Sequence, residues 1–226
     1  MINGNRRSVG YKLAVWNCGR GLVQEGFSVK FHEVKQFLET KRPHCFGIIE
    51  SDLYSQQSQV NRVKYSAAEL SEYLKVDGYT IEFPSSWDVH GQARLICYIS
   101  QEIKYSRRIL NTNYDHLPTI TLEIGLGKAT RTIVHYYYRE WKCGVTGESS
   151  HNSQLNYIKQ HISQWKEIVD SNRNFVTLGD ANALSWSDQN FRYKELSEEV
   201  LNFLLGESSF HLVNKHTRVL NVSGSF

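Results

Sequence analysis

The stretch with the clearest chemical potential is the tetrapeptide Gly179-Asp180-Ala181-Asn182, which follows an apolar run over residues 174–178. If that run is a strand, side chains two residues apart project from the same side, so the Asp180 carboxylate and the Asn182 carboxamide would stand together. The carboxylate can orient or deprotonate a water molecule, and the carboxamide can donate and accept hydrogen bonds. Such a pair can position a nucleophile against a phosphate or a metal ion. Taken alone, the tetrapeptide is more typical of an ordinary turn.

Three other polar side chains stand at or just past the end of an apolar run: Asn17, Glu50 and Tyr138. Taken singly, Asn17 can be explained as a loop cap, Glu50 as an exposed acid in a turn and Tyr138 as a core aromatic residue. In open α/β sheets, however, ligands bind in the crevice at the carboxyl ends of the strands. The joint placement of these residues therefore predicts one site where several strand ends converge.

The elements that must position these residues begin with a strand, helix, strand pattern. Apolar runs over residues 12–17 and 44–49 predict buried strands, and helical spacing of apolar residues over 28–42 predicts a helix between them. This order is the signature of a parallel crossover. A capping box formed by Ser66 and Glu69 then opens a short helix that ends near Gly78.

Short strands follow, with turns of Gly, Pro and Asn between them that favour antiparallel pairing. They are predicted over residues 79–83, 93–100, 118–124 and 130–138. The longest helix precedes the opening tetrapeptide, and its apolar stripe is spaced 3, 4, 3, 4 so that it faces a sheet. The stripe consists of Leu155, Ile158, Ile162, Trp165 and Val169. Beyond Asn182 we expect a helix over 193–205, a strand over 210–213 and a polar tail over 216–226.

Composition indicates a globular α/β protein of 226 residues, of which 40% are hydrophobic. The net charge of +3 is too small to predict nucleic-acid binding by itself, so local patches would have to supply it. The four cysteines lie far apart without a CxxC pair, which disfavours zinc and disulfide frameworks. No secretory h-region or membrane-length apolar run is visible. We expect a monomeric protein without membrane contact, located in the nucleus or cytoplasm and not secreted.

Four of these segments, in order, resemble the motifs of the endonuclease/exonuclease/phosphatase superfamily. The matching segments are Val15-Trp16-Asn17, Ile49-Glu50-Ser51, Tyr136-Tyr137-Tyr138-Arg139-Glu140-Trp141 and Gly179-Asp180-Ala181-Asn182. Order and spacing fit along residues 11–218. The Tyr-Arg-Glu-Trp form, together with His216-Thr217-Arg218, resembles the apurinic-type endonuclease domains of LINE-type (non-LTR) retrotransposons.

The resemblance implies a four-layer α/β sandwich, with two mixed β-sheets face to face and helices outside. It also implies that Glu50 binds Mg²⁺, or Mn²⁺ in its place, with Asn17 beside it as a further metal or phosphate contact. Asp180 would orient or deprotonate the attacking water, and the Tyr138 hydroxyl would donate to the phosphate. Asn182 would hydrogen-bond the scissile phosphate or hold the catalytic acid-base pair.

Two other positions take supporting roles by the same resemblance. Thr217 matches a polar residue near the catalytic site. Arg139 would contact the nucleic-acid backbone, although pairing with Glu140 is an equal alternative. A basic rim tracking the phosphates of duplex DNA would need further cations. Its candidates are Arg20, Lys64, Arg94, Lys142 and Arg192.

One departure from the family pattern concerns its terminal Ser-Asp-His motif, which this sequence lacks. We therefore expect residues 11–226 to form a single domain that is C-terminally incomplete and lacks its last strand or strands, preceded by a polar segment over residues 1–10. A fragment of a longer element and a degenerate copy that has lost activity are both consistent with this pattern.

Three functions remain open at this point. The first is a Mg²⁺-dependent DNA endonuclease of retrotransposon type, of low activity as this fragment, with DNA and a downstream reverse transcriptase of the same polyprotein as partners. The second is a phosphatase or phosphodiesterase of the same superfamily acting on another phosphoester. The third is a catalytically inactive remnant that binds nucleic acid.

Overall fold

The structure is a computed structural model that describes residues 10–19, 21–23, 29–125, 131–140, 151–171, 174–182, 202 and 219–222. Within these ranges the elements, in chain order, are β1 (Tyr11–Asn17), α1 (Val29–Lys41), β2 (Cys45–Tyr54), α2 (Ala67–Tyr73), β3 (Tyr79–Glu82), α3 (Ser85–His90), β4 (Gln92–Ser100), β5 (Tyr105–Arg107), β6 (Thr119–Ile124), β7 (Thr132–Tyr138), α4 (His151–Asp170), β8 (Asn174–Asp180) and β9 (Val219–Val222).

The strands form two mixed sheets. The first has the order β3-β4-β2-β1-β9, in which β1 and β2 are parallel and the other pairs are antiparallel. The helix α1 lies between β1 and β2 in the chain, so the predicted parallel crossover is confirmed. The second sheet has the order β5-β6-β7-β8, with β7 and β8 parallel and α4 between them in the chain.

The sheets pack face to face and carry helices on their outer faces. Buried side chains from both sheets form one apolar cluster between them, including Leu13, Leu95, Leu122 and Tyr136. On the outer face of the first sheet, Leu38 of α1 packs in the same cluster as Ile48. On the outer face of the second, Ile168 of α4 packs with Ile133. The predicted four-layer α/β sandwich is therefore confirmed.

Several local expectations need correction. The sequence analysis did not predict α3 or the three-residue strand β5. It assigned residues 216–226 to a polar tail, whereas residues 219–222 form β9, which pairs antiparallel with the edge of β1. Backbone hydrogen bonds to an open edge can order so short a segment, and these leave little trace in side-chain pattern. The predicted helix over 193–205, apart from residue 202, and the predicted strand over 210–213 lie outside the described residues.

The buried face of α4 is wider and more polar than predicted. Ile158, Ile162 and Trp165 are buried as expected, whereas the two ends of the predicted stripe are only half-buried. Polar residues share the buried face: Gln154, His161 and Gln164. Among the described helices, none is long and apolar enough to cross a membrane.

Gly47 on β2 of the first sheet faces the ring of Tyr136 on β7 of the second. A Cβ atom at this position would meet the Tyr136 ring, with Cδ1 at 2.4 Å and Cε1 at 2.7 Å. The Tyr136 side chain is fully buried between the sheets, so the ring has little freedom to move aside. The absence of a side chain at Gly47 therefore permits the sheet spacing on which the site depends.

We predict that Gly47→Ala lowers the free energy of unfolding by about 1–3 kcal/mol, because the added methyl group overpacks the layer between the sheets. Urea denaturation measures this change. Tyr136→Leu removes the clashing ring, so the double variant should be less destabilised than the sum of the two single variants. Additive free energies would show that Tyr136 is not the cause.

Two histidines are buried where α4 packs on the second sheet, His135 on β7 and His161 on α4. His135 on β7 shares a hydrogen bond of 2.9 Å with the Thr121 hydroxyl, and burial lowers the pKa of His135 from 6.5 to about 3. Burial, reinforced by the nearby His135, Arg139 and His116, also holds the pKa of His161 well below its ordinary value. Both imidazoles are therefore neutral in the folded chain at physiological pH.

We predict that the protein loses stability as the pH falls below about 6.5. The unfolded chain binds protons at these imidazoles below that pH, whereas folded His135 does so only near pH 3, so stability present at neutral pH is lost in acid. His135→Gln should reduce the slope of unfolding free energy against pH, between pH 6 and 4, by about 1.4 kcal/mol per pH unit. His32→Gln, at an exposed position on α1, is the matched control. Equal slopes in all three proteins would contradict the assignment.

Candidate active site

Glu50 does not end its strand, as the sequence suggested, but lies at a bulge inside it. The pairing of β2 with β4 shifts between Ile49, opposite Leu95, and Leu53, opposite Ala93. Four steps along β2 therefore match only two along β4. Glu50 and Asp52 both take left-handed backbone angles, with φ values of 58° and 50°. Bulges of this kind re-aim side chains near functional sites.

The bulge is held by hydrogen bonds from both sides. The backbone N–H of Gly21 donates to the Glu50 carbonyl at 2.9 Å, and that of Leu22 donates to the Ser51 carbonyl at 2.8 Å. The buried Ser51 hydroxyl donates to the Ala93 carbonyl at 2.8 Å. Backbone groups that lose their strand partners at the bulge thus find other hydrogen-bond partners. These hydrogen bonds offset the free-energy cost of the irregular backbone.

Four of the residues singled out from the sequence meet in one hydrogen-bonded cluster. Asn17 Nδ2 donates to Glu50 Oε1 at 3.0 Å and to Asp180 Oδ2 at 3.1 Å. The Tyr138 hydroxyl donates to the same Glu50 oxygen at 3.1 Å. Asn17 and Glu50 come from the first sheet, and Tyr138 and Asp180 come from the second. The strand ends converge as the sequence predicted.

Asn17 lies beside Glu50 and faces the two carboxylates with its amide nitrogen rather than its amide oxygen. Its Nδ2 faces the two carboxylates, and its Oδ1 accepts a hydrogen bond from the Gly19 N–H at 3.0 Å. In this arrangement Asn17 bridges Glu50 and Asp180 as a donor, and its oxygen does not face them as a metal ligand would. Its expected contact with a metal ion or a phosphate stays a prediction.

Asn182 is placed differently from the prediction. The strand β8 ends at Asp180, and Asn182 has a φ of 46°, so the two side chains do not continue one extended row. Its backbone N–H donates to Asp180 Oδ1 at 2.8 Å, while its side-chain Nδ2 donates to the Arg139 carbonyl at 2.5 Å. Asn182 thus fixes the Asp180 carboxylate through its backbone rather than joining the cluster through its carboxamide.

Arg139 is buried and does not face the site as a nucleic-acid contact would. Its side chain donates to the backbone carbonyls of Ala181 and of Asn182, the latter at 2.6 Å. Burial lowers the pKa of its guanidinium to about 10, although nearby Tyr157 and Asp180 oppose the change. This burial is at odds with the expected contact with a nucleic-acid backbone. Arg139 instead holds the segment that follows Asp180.

Sequence reasoning missed a second polar unit beside the cluster. Arg94 Nε lies 2.5 Å from Asp52 Oδ1, and Arg94 Nη1 lies 2.7 Å from Glu140 Oε1. The guanidinium carbon stands 5.3 Å from the centroid of the Tyr138 ring. Arg94 was expected only as a candidate DNA contact. The sequence did carry one signal of this ion pair: Arg94 is the single charged residue in the otherwise apolar strand predicted over residues 93–100. A charged side chain buried in such a strand needs a charged partner.

The electrostatics of the site follow from these contacts. Burial raises the pKa of Tyr138 far above its ordinary value, and the carboxylates of Glu50 and Glu140 add to the rise against the opposing charge of Arg94. Tyr138 therefore stays protonated and acts as a hydrogen-bond donor. Burial also raises the pKa of Asp52, although Arg94 opposes it.

The donor set suits a hard divalent cation. The Glu50 and Asp180 oxygens bonded to one Asn17 nitrogen are at most about 6 Å apart, from the two distances of 3.0 and 3.1 Å. Carboxylate oxygens are what Mg²⁺ prefers, and it commonly takes one or two of them and keeps several waters. Within the described ranges, no group of three or more His, Cys, Asp or Glu side chains is placed to hold a metal ion. Thr217 lies outside the described residues.

Comparisons with known proteins concern the fold. No protein-family profile and no curated protein matches the chain. Among solved structures, the endonuclease domain of TRAS1, a telomere-specific non-LTR retrotransposon, matches with a TM-score of 0.54 and 13% identity, covering 87% of this chain and 70% of that one.

Two AP endonuclease-type structures are also similar. The AP endonuclease LMAP of Leishmania major has a TM-score of 0.51 and 16% identity, over 86% of this chain and 65% of that one. The catalytic domain of Xenopus laevis APE2 has a TM-score of 0.52 and 12% identity, over 84% and 66%. This chain thus spans about two thirds of the length of each. Likeness at such identity concerns architecture, and the α/β sandwich is the architecture that this chain shares with these structures.

Proposed function

We propose that this chain is a metal-dependent phosphodiester hydrolase that nicks one strand of DNA, as an endonuclease of retrotransposon type. The observation that carries the proposal is the cluster in which the Asn17 amide joins the carboxylates of Glu50 and Asp180. It combines a hard-cation donor set with a carboxylate for water activation and a protonated tyrosine. Two of the solved structures of similar fold named above, those of TRAS1 and LMAP, are described as endonucleases and support the reaction class.

Glu50 would hold Mg²⁺ or Mn²⁺ at the bulge, with Asp180 close by. When bound, the metal ion would neutralise the charge that develops on the phosphate and on the leaving oxygen. Asn17 keeps the two carboxylates at a fixed separation by donating to both. Its neutral amide offsets their mutual repulsion before any ligand enters.

Asp180 would orient the attacking water and accept its proton on the carboxylate. Both of its oxygens already accept hydrogen bonds, Oδ1 from the Asn182 N–H and Oδ2 from Asn17, so the carboxylate is fixed in place before substrate binds. Each carboxylate oxygen has a second lone pair available for the water. Because this orientation exists in the free protein, little reorganisation is needed during the reaction.

Tyr138 would donate a hydrogen bond to a non-bridging phosphate oxygen, exchanging its present acceptor on Glu50 for the substrate. Its raised pKa keeps the proton on the hydroxyl throughout the working pH range. Asn182 and Thr217 would support the phosphate, Asn182 through the backbone geometry that it gives Asp180.

DNA is the proposed substrate because the TRAS1 domain is the endonuclease of a retrotransposon. A nick that leaves a 3′-hydroxyl could prime reverse transcription. The proposed partner is accordingly a reverse transcriptase of the same polyprotein, acting in the nucleus or cytoplasm.

We predict that Glu50→Gln and Asp180→Asn each lower the rate of supercoiled-plasmid nicking in Mg²⁺ by about 10²–10⁴-fold. The amide at position 50 removes the charge that binds the cation, and the amide at position 180 removes the proton acceptor. EDTA should abolish nicking by the wild type. Glu72→Gln, at an exposed position on α2, is the matched control and should nick as the wild type does.

Different Mg²⁺ dependences should separate the two residues. Excess Mg²⁺ should partly rescue Glu50→Gln, which weakens metal binding, but not Asp180→Asn, which lacks the base. Nicking that persists in EDTA, or that neither substitution lowers, would contradict the proposed function. The proposed function would also be contradicted if neither this chain nor a longer protein containing it nicks DNA in Mg²⁺.

A further inference from the structure

We propose that Arg94 is the positioning residue of this site, because one guanidinium holds both the bulge that carries Glu50 and the strand end that carries Tyr138. The inference rests on the proposed function for its catalytic consequence, but its structural part stands on contacts alone. Arg94 comes from β4, which contributes no residue to the catalytic cluster.

The first contact of Arg94 controls Glu50. Asp52 lies two residues after Glu50 in the same bulge, and its Oδ1 lies 2.5 Å from Arg94 Nε. Both acidic residues have positive φ angles, a conformation that non-glycine residues keep only where their surroundings fix it. The ion pair pins the bulge from the side of β4. The direction of the Glu50 side chain therefore depends on a contact that Glu50 does not itself make.

The second contact controls Tyr138. Arg94 Nη1 lies 2.7 Å from Oε1 of the buried Glu140, two residues beyond Tyr138, and Glu140 Oε2 accepts a hydrogen bond from the Tyr157 hydroxyl at 3.2 Å. Glu140 is thus held by α4 as well as by Arg94. The guanidinium also stands over the Tyr138 ring, 5.3 Å from its centroid. Tyr138 is therefore fixed along its ring face while its hydroxyl donates to Glu50.

Only arginine can make these three contacts at once. Its planar fork presents separate N–H groups to two carboxylates and leaves its face for an aromatic ring. A lysine ammonium keeps the charge but acts as a single point, so it cannot reach both acids with the same geometry. Arg94→Lys therefore removes the positioning while keeping the net charge of the site.

The alternatives are a purely structural ion pair and the direct DNA contact expected from the sequence. Asp52, Glu140 and the Tyr138 ring all contact the Arg94 guanidinium, and the Arg94 side chain is only 21% exposed. A structural pair would change stability without altering metal dependence. A DNA contact would change affinity without altering the rate at saturating DNA.

The test compares wild type with Arg94→Lys and with the control Arg131→Lys. Arg131 pairs with Glu123 at 3.2 Å, next to β7 at the end opposite Tyr138. Single-turnover nicking is measured at saturating DNA over a range of Mg²⁺ concentrations. For Arg94→Lys we expect a rate about 10–100-fold lower, a half-saturating Mg²⁺ concentration several-fold higher and DNA affinity within about twofold of wild type. The control should match the wild type.

Two results would overturn the proposal. One is an Arg94→Lys rate and Mg²⁺ dependence equal to those of Arg131→Lys. The other is weaker DNA binding with an unchanged rate at saturation. Asp52→Asn, which keeps the shape of the acid but removes its charge, is the second variant should Arg94→Lys fail to fold, and it should show the same loss of rate and shift in Mg²⁺ dependence.

A measurement without catalysis separates this inference from the proposed function. In protein labelled with 3-fluorotyrosine, Tyr138→Phe identifies the ¹⁹F resonance of Tyr138. Arg94→Lys and Asp52→Asn should shift or broaden that resonance while Arg131→Lys leaves it in place. An unchanged resonance in both variants would overturn the positioning role even in a protein that nicks. A changed resonance in a protein that does not nick would retain the positioning role and reject the endonuclease.

Discussion

The site depends on one carboxamide that joins two carboxylates from different sheets. Asn17 ends β1 of the first sheet and donates to Glu50 on the neighbouring strand and to Asp180 at the end of β8 in the second. Neither sheet alone could build this contact. It requires the strand ends to stop at the same level and the sheets to approach closely. The tight packing of Tyr136 over Gly47 sets that approach.

Charge compensation is the second constraint on this arrangement. Glu50, Asp52, Glu140 and Asp180 place four carboxylates close together at one end of the sandwich. Like charges at such separations oppose each other strongly in a partly buried setting. Arg94 offsets two of the four, and hydrogen bonds from neutral donors hold the other two. Of the pair bonded to Asn17, Glu50 is the proposed ligand of the divalent cation.

The convergence of Asn17, Glu50, Tyr138 and Asp180 could be predicted from the sequence, because polar residues that follow apolar runs are visible without coordinates. The parallel crossover from β1 through α1 to β2 was equally readable from periodicity, whereas the parallel pairing of β7 with β8 was not predicted. Backbone geometry that leaves no periodic pattern in the sequence could not be predicted. The bulge at Glu50 needs long-range pairing with β4, and the turn at Asn182 needs a left-handed residue that asparagine tolerates but does not require.

The contacts of two arginines, Arg139 and Arg94, were also not predictable from a periodic pattern. Arg139 and Arg94 are indistinguishable from surface arginines by residue type, yet one clamps the segment after Asp180 and the other links the bulge to Glu140. Their partners are distant in sequence, so only the fold shows that both are engaged. The polar part of the buried face of α4 was not predicted either, since His161 and Gln164 lie outside the apolar stripe but are buried.

The central claim is that Glu50, which Asn17 bridges to Asp180, holds the metal ion. Anomalous diffraction from crystals grown with Mn²⁺ tests it most directly, because it locates the ion without reference to any activity. The account predicts one strong peak about 2.2 Å from a Glu50 carboxylate oxygen, on the side facing Asp180. A peak elsewhere on the molecule, or none at a Mn²⁺ concentration that supports nicking, would contradict it.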